Sequence, residues 1–266
     1  METETDLLGS IFGHWRQNAA ETERLLGGDK ADFFVDIYND ALDIQFAISD
    51  AYPKQELTSL VYADFMGVCK EIHWFHVMFL AGNYPLLLAR LRFIWELIFR
   101  ALYADTYEQQ GGTHREPPGL TVDEKHWWLE SKEKGLNWGS VILPILYKLF
   151  KAKDVKEIEE CFKPVWDALN CYVHPSAVLR YELIDESSLL FRDAFDENLA
   201  NKSLYYAKEI FELVWLAVLW RFPKAKVRLL ANPSVFKKCP RVRSMLEKLQ
   251  DLPSRRSFQA RASVAK

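Results

Sequence analysis

The sequence lacks the short motifs that mark several enzyme classes. Its 11 glycines form neither a G-x-x-x-x-G-K-[ST] nor a G-x-G-x-x-G pattern. These absences argue against a P-loop nucleotidase and a Rossmann dehydrogenase. H-E-x-x-H and G-x-S-x-G are also missing, which argues against a zincin and an α/β-hydrolase.

Cysteine is scarce as well, with four residues among 266 and no C-x-x-C pair. Cysteines this scattered form no disulfide framework, so a reducing cytosol is the simpler environment. The acidic start, Met1 to Asp6, argues against a secretory or transit peptide. We therefore expect a cytoplasmic protein.

No uncharged run is convincing as a membrane span. The longest covers Ile72 to Ala89, which is 18 residues, at the lower limit for crossing a bilayer. Gly82-Asn83-Tyr84-Pro85 interrupts it and predicts two helices joined by a turn, with Asn83 as the N-cap. We expect no membrane partner.

The net charge of −3 hides two regions of opposite sign. Residues 221–266 carry 13 Lys and Arg against two acids, a net +11, so residues 1–220 carry −14. A composition of 49% hydrophobic and 14% aromatic residues excludes disorder as the main state. We predict a helical domain over 1–222 and a basic extension over 223–266.

Apolar residues recur mainly at steps of three and four, which predicts an all-α protein. The expected fold is an antiparallel bundle of about eight helices, with a small β-hairpin near 178–192. Thr121-Val122-Asp123-Glu124 has the form of a capping box before a short helix. Pro144 should disturb the sixth helix, and Pro164 should interrupt the seventh. The helices are expected near 7–26, 30–51, 57–75, 84–107, 121–135, 138–151, 154–172 and 199–222.

The first candidate site is Asn170 and His174, four residues apart at the predicted end of a helix stopped by Pro175. The negative helix end favours a protonated imidazole. A histidine that shuttles a proton beside an amide that orients a phosphate would suit attack by an RNA 2′-hydroxyl. The alternative is structural: His174 caps the helix and Asn170 packs by hydrogen bonding.

The second candidate is Arg92, Glu96 and Arg100, which line one face of a largely apolar helix. Charges in such a helix must be paired, because an isolated buried charge is very costly. We expect Glu96 to bridge both arginines. The group is either a buried ion network or an anion-binding wall with an arginine available for phosphate.

These two segments together resemble the prokaryotic HEPN-like helical superfamily. The resemblance spans about 85–222 and rests on two stretches, Arg92-Phe93-Ile94-Trp95-Glu96 and Leu169-Asn170-Cys171-Tyr172-Val173-His174-Pro175-Ser176. Ribonucleases of this superfamily carry R-x(4–6)-H, commonly with Asn directly after the Arg. Asn170 and His174 match this pattern, whereas Leu169 stands at the arginine position.

The resemblance implies a homodimeric protein of a prokaryotic defence or toxin–antitoxin system that binds RNA or cleaves it without a metal or cofactor. His174 would be the general base or acid, and Asn170 would position the phosphate. The missing arginine would come from elsewhere, such as Arg92, Arg100 or Arg180. Leu169 favours an alternative, a non-catalytic interaction or scaffold protein. Its acidic body would contact a protein partner in such a system, and its basic tail would bind nucleic acid or a partner subunit.

A metal site is a further alternative, because Cys69, His73 and His76 lie on one face of the third predicted helix. Thiolate and imidazole are both ligands of transition metals. Three ligands on one helix still need a fourth, however, and a buried cysteine often serves as a small hydrophobe. We therefore expect no metal.

The basic extension is the last candidate, because basic groups neutralise phosphates and its aromatic rings could stack on unpaired bases. It would then hold RNA or other single-stranded nucleic acid. Alternatively, it folds back on the acidic body or on a sister subunit. Its candidate binding residues are Lys224, Lys226, Arg228, Lys237, Lys238, Arg241, Arg243, Arg255 and Arg256.

Overall fold

The computed structural model describes residues 4–53, 59–109, 138–173, 184–185, 190–191 and 195–249, and within them the fold is all-α as predicted. A five-residue π-helix, Trp138–Ile142, leads directly into the sixth α-helix. The α-helices are α1 (Glu4–Leu26), α2 (Gly28–Ala31), α3 (Phe33–Ala51), α4 (Leu60–Leu80), α5 (Tyr84–Gln109), α6 (Leu143–Leu149), α7 (Ala152–Val173), α8 (Glu197–Arg221), α9 (Pro223–Ala231) and α10 (Arg241–Leu246).

Helices α5 and α8 form the centre of the bundle. They pack against each other and against α4 and α7. Every residue of α8 from Ile210 to Leu219 is buried, because this stretch is apolar apart from Glu212 and is surrounded by other helices. Trp95 of α5 and Trp215 of α8 are among the largest fully buried side chains. Aromatic side chains therefore fill much of the core between the helices.

The uncharged stretch 72–89 forms two helices, as its glycine and proline predict. Helix α4 ends at Leu80 and α5 begins at Tyr84. Gly82 adopts φ +78° in the turn, a left-handed conformation that glycine tolerates best. Within the described residues, none of the helices has the length and apolarity that a bilayer crossing needs.

The two helical prolines behave differently. The disturbance expected at Pro144 is confirmed, since a π-helix precedes it and Pro144 lies in the first turn of α6. The interruption expected at Pro164 is wrong, because α7 continues through it. An interior proline costs about 3 kcal/mol, whereas each fully buried large apolar side chain contributes about 1.5–3 kcal/mol. Several such side chains hold α7 together, namely Val155, Ile158, Phe162, Val165, Trp166 and Leu169.

The expected hairpin is present as a short antiparallel pair. Strand β1 (Ile184–Asp185) pairs with β2 (Leu190–Phe191), with Ile184 opposite Phe191. The remaining hairpin residues lie outside the described residues, as do the capping box and the short helix expected near 121–135.

The basic extension, which was distinguished from the body by its net charge, contributes side chains to the same hydrophobic core. Helix α9 packs against α3, and α10 packs against α8. Phe222, Leu229, Phe236, Cys239 and Leu246 are all buried. Residues 223–249 therefore carry apolar side chains that the body covers. Residues 250–266 lie outside the described part of the chain.

Candidate functional site on helices α5 and α7

Arg92 of α5 joins the two segments that carry the candidate motif. Its Nε donates a hydrogen bond of 3.2 Å to Oδ1 of Asn170 on α7. Its Nη1 lies 2.7 Å from Oε1 of Glu96, one turn along α5. The guanidinium also lies over the Trp166 ring, 3.0 Å from its centroid. Two of the predicted site residues, Arg92 and Asn170, are thus in direct contact although 78 positions separate them.

Arg92 is only 4% exposed, and this burial affects the pKa of its guanidinium. Burial lowers the pKa of Arg92 to about 10, and the Glu96 carboxylate opposes that change. The guanidinium therefore stays positively charged at neutral pH. Because Glu96 balances the charge and Asn170 and Trp166 occupy two sides of the group, Arg92 is better placed to hold Asn170 than to meet a phosphate in solvent.

Three tryptophans form a rigid layer beneath this contact. Trp95 meets Trp166 with ring centroids 5.2 Å apart and Trp138 at 6.0 Å, both edge to face. Trp138 also donates from Nε1 to Glu159 at 2.9 Å. Sequence reasoning missed this layer. A signal existed, because Trp95 lies three residues after Arg92 and Trp166 four before Asn170, so each pair shares a helix face.

Leu169, at the position of the motif arginine, faces the core and is fully buried. Asn170 is partly exposed, and Val173 at the end of α7 is exposed. The helix therefore turns Asn170 toward α5 while Leu169 packs inside. His174 follows immediately after the last described residue of α7, and both His174 and Arg180 lie outside the described residues.

The bridge expected between Glu96 and two arginines is found for Arg92 alone. Arg100 is partly exposed, and in the described part of the chain Glu96 makes its ion pair with Arg92. One turn of helix separates Glu96 from each arginine. The contacts of Arg92 with Trp166 and Asn170 explain why it is the buried partner.

The structure does not bring together the three residues of the metal alternative, Cys69, His73 and His76. Across the residues that the structure describes, no three His, Cys, Asp or Glu side chains are arranged to hold a metal ion. Cys69 faces the core, and burial raises the pKa of its thiol to about 12. His73 is exposed and packs beside Tyr38 and Trp74. Cys69 therefore faces the core while His73 faces solvent, so the three side chains do not converge on one point.

Several basic residues of the extension form ion pairs with the acidic body. Arg241 pairs with both Glu209 and Glu212 of α8, and Glu212 is fully buried. The other pairs join Arg228 to Asp50, Lys238 to Asp36 at 3.5 Å, and Lys248 to Glu157 at 3.2 Å. The described part of the extension therefore folds back on the acidic body, as one of the two alternatives predicted.

Other basic groups of the extension bind within the fold itself. Arg243 donates to the carbonyl oxygens of Leu230 and Val235, each at 3.1 Å. Lys226 donates to the carbonyl of Leu246 at 2.6 Å. Lys224 lies over the Tyr52 ring, 4.9 Å from its centroid. Lys237 is exposed, and Arg255 and Arg256 lie outside the described residues.

A buried carboxyl, Asp40 of α3, anchors the loop between α9 and α10. Its Oδ1 accepts a 2.9 Å hydrogen bond from the backbone N–H of Phe236, a residue with φ +66°. Its Oδ2 is buried and has no hydrogen-bond partner among the residues that the structure describes. Burial raises the pKa of Asp40 to about 7 against the opposing hydrogen bond from Phe236, and the nearby Asp43 and Asp36 raise it further.

Comparison with models of protein families, with curated proteins and with solved structures found no match to this chain. The HEPN-like resemblance therefore rests on the two segments quoted above. Any functional conclusion depends on the geometry around Arg92 and Asn170.

Proposed function

We propose that this chain is a HEPN-like protein that binds RNA at the C-terminal end of α7 and cleaves it without a metal. It would act as a homodimer in a prokaryotic defence or toxin–antitoxin system. The observation that carries the proposal is the hydrogen bond from Arg92 Nε to Asn170 Oδ1. It brings an arginine into contact with Asn170, although position 169 is a buried leucine.

The direction of this hydrogen bond determines what Asn170 can offer a substrate. An amide has one acceptor oxygen and one NH₂ donor group. Because Arg92 occupies the oxygen, the NH₂ group is the part left to donate to a phosphate oxygen. Arg92 is then a positioning residue that acts through Asn170, and the layer of tryptophans keeps it in place.

The chemistry needs a proton acceptor, which is the role of His174. The histidine removes the proton of an RNA 2′-hydroxyl, and the resulting oxygen attacks the adjacent phosphorus. The bond from phosphorus to the 5′-oxygen breaks, and that oxygen takes up a proton. The products are a 2′,3′-cyclic phosphate and a free 5′-hydroxyl. The NH₂ group of Asn170 stabilises the charge that develops on the phosphate.

The test is RNA cleavage in the presence of EDTA by the wild type, His174→Ala, Asn170→Ala and Val173→Ala. Val173 is the matched control, because it is exposed and directly precedes His174. Cleavage by the wild type and Val173→Ala, lost in the other two variants, supports the proposal. Equal cleavage by the wild type and His174→Ala, or none by the wild type, overturns it.

A second candidate function, a non-catalytic interaction protein, is favoured by one specific observation. The positive charges proposed to bind phosphate already have acidic partners, since Glu96 neutralises Arg92 and acids of the body pair with basic residues of the extension. On this account the protein holds RNA or a partner without cleaving it. Truncation after Leu249 leaves the buried part of the extension intact, so RNA affinity of this variant at two salt concentrations tests residues 250–266 alone. An unchanged affinity and salt slope would exclude them as the phosphate-binding element.

A further inference from the structure

A cavity of about 260 Å³ lies between α3 and the basic extension. This volume is slightly below the range typical of binding sites for drug-sized molecules, so the cavity suits a small ligand. Two buried apolar side chains line it from the extension, Leu229 of α9 and Val235 of the loop that follows. Helix α3 contributes Asp43, Phe46 and Asp50, which are three and four residues apart and therefore share one face of the helix. The cavity thus combines acidic, aromatic and apolar groups.

In the described part of the chain, the basic extension pairs with Asp50 of this cavity but not with Asp43. Arg228 makes the ion pair with Asp50, and both side chains are largely exposed. Lys238 pairs with Asp36, which lies further back along α3. Asp43 is half-buried, and none of the described basic side chains pairs with it. The cavity lining therefore carries one negative charge in excess, which favours a ligand with a single positive charge.

Phe46 indicates that this cation is organic. Its ring is 56% exposed and lies one helical turn from Asp43. The face of an aromatic ring attracts a cation, and the apolar lining can cover the hydrocarbon part of the same molecule. An inorganic divalent cation would need several oxygen ligands. Within the described residues no three His, Cys, Asp or Glu side chains are arranged to supply them.

We propose that this cavity binds a small organic amine in its ammonium form. The ammonium group donates hydrogen bonds to the Asp43 carboxylate, and the hydrocarbon part packs between the Phe46 ring and the side chains of Leu229 and Val235. The proposal is independent of the proposed function, because that function depends on α5 and α7, whereas this cavity is lined by α3, α9 and the loop after α9. Either one can fail while the other holds.

The buried carboxyl of Asp40 gives the proposal a second readout. Asp40 lies one turn before Asp43 and is only 6% exposed. Burial raises the pKa of Asp40 to about 7, and the negative charge of Asp43 raises it further. A cation bound to Asp43 offsets that second effect, so binding should release protons from Asp40, and the affinity should rise with pH. The other groups that face Asp40 are the carboxylate of Asp36, the guanidinium of Arg243, the backbone N–H of Phe236 and the thiol of Cys239, which burial keeps protonated.

The test is titration calorimetry of the full chain with phenethylamine at constant ionic strength. The wild type should bind this amine, and it should bind the neutral analogue phenethyl alcohol at least about 10-fold more weakly. Methylamine keeps the charge without the ring and should also bind about 10-fold more weakly. Asp43→Asn should weaken the binding of phenethylamine about 10-fold or more, because a charged hydrogen bond is lost. Phe46→Ala should weaken it about 2- to 5-fold.

Asp167→Asn and Phe93→Ala are the matched controls, because both residues are exposed and lie outside the cavity, on α7 and α5. Their affinities should equal that of the wild type, and circular dichroism verifies that each variant is folded. A wild type that does not bind phenethylamine, or an affinity that Asp43→Asn leaves unchanged, overturns the proposal. Equal binding of phenethyl alcohol overturns it too, because the charge would then contribute nothing.

The pH dependence is measured by repeating the titration between about pH 6 and about pH 8. The affinity should rise over this range in the wild type and stay constant in Asp40→Asn, which has no carboxyl to release a proton. An affinity that is constant in the wild type, or that rises equally in both proteins, overturns the coupling of the bound cation to Asp40.

Discussion

Replacement of Asp40 by asparagine should make the protein more stable at neutral and basic pH and remove part of its pH dependence. The Asp40 carboxyl is buried, and its Oδ2 has no hydrogen-bond partner in the described part of the chain. Burial raises its pKa from the ordinary value of 3.8 to about 7. The folded protein therefore holds the proton more tightly than the unfolded chain does, and the associated stability is present below pH 3.8 and lost as the pH rises to about 7.

The size of this effect follows from the two pKa values. At about 1.4 kcal/mol for each pH unit, the difference between 3.8 and about 7 corresponds to at most about 4 kcal/mol. Asparagine has nearly the same shape and keeps an oxygen to accept the hydrogen bond from Phe236. We expect the stability of Asp40→Asn relative to the wild type to rise by about 2–4 kcal/mol between pH 4 and pH 8.

Urea unfolding at several pH values between 4 and 8 measures this difference directly. Asp167→Asn serves as a control, because Asp167 is exposed and pairs with Lys163 in the same helix. Its effect should be small and nearly independent of pH. A difference between Asp40→Asn and the wild type that stays constant over this range would refute the reasoning, because Asp40 would then not take up a proton on folding.

Two further substitutions test the packing of α7 and of the extension. Pro164→Ala should raise the free energy of unfolding by about 1–3 kcal/mol, because it restores a backbone donor at an exposed position inside α7. Urea unfolding measures this change. An unchanged or lower free energy of unfolding would show that the helix had adapted to the proline. Arg241→Ala should lower the free energy of unfolding by about 3 kcal/mol, since Glu209 and Glu212 would remain buried without their cation. This loss should shrink at acidic pH, because burial raises the pKa of the Glu212 carboxyl and favours its protonation, and a loss that grew instead would contradict the assigned ion pairs.

The sequence was most informative where local signals determine the structure. Gly82 and Pro85 divided an uncharged run into α4 and α5, and Gly27 with Gly28 marked the end of α1. Such residues act through the conformation of their own backbone, so a single sequence is enough to interpret them. The short hairpin at Ile184 and Phe191 was likewise signalled by a change in the period of apolar residues.

Features that depend on contacts between residues far apart in the sequence could not be predicted from local patterns. The buried side chains of α7 outweigh the local effect of Pro164, and their partners on α5 are far away in the sequence. The opposite charges of body and extension suggested docking, but only the fold identifies Glu209 and Glu212 as the acids that receive Arg241. Apolar side chains also anchor the basic extension on the body, and the net charge does not predict those contacts.

In the candidate site, too, the individual residues could be predicted from the sequence but their contacts could not. Arg92, Glu96 and Asn170 were each singled out from the sequence, but as two separate groups. Their contact across α5 and α7 depends on how the two helices pack. Trp166, which covers the guanidinium of Arg92, was missed, although it lies four residues before Asn170 on the same face of α7.

In the proposed mechanism, Arg92 acts on RNA through Asn170. Cleavage rates in EDTA for the wild type, Arg92→Lys, Asn170→Ala and the double variant, measured where all four are folded, test it most directly. We predict that each single change lowers the rate about 10- to 100-fold and that the double variant is no slower than Asn170→Ala alone. Effects that multiply in the double variant, or rates that none of the changes alters, would contradict the claim.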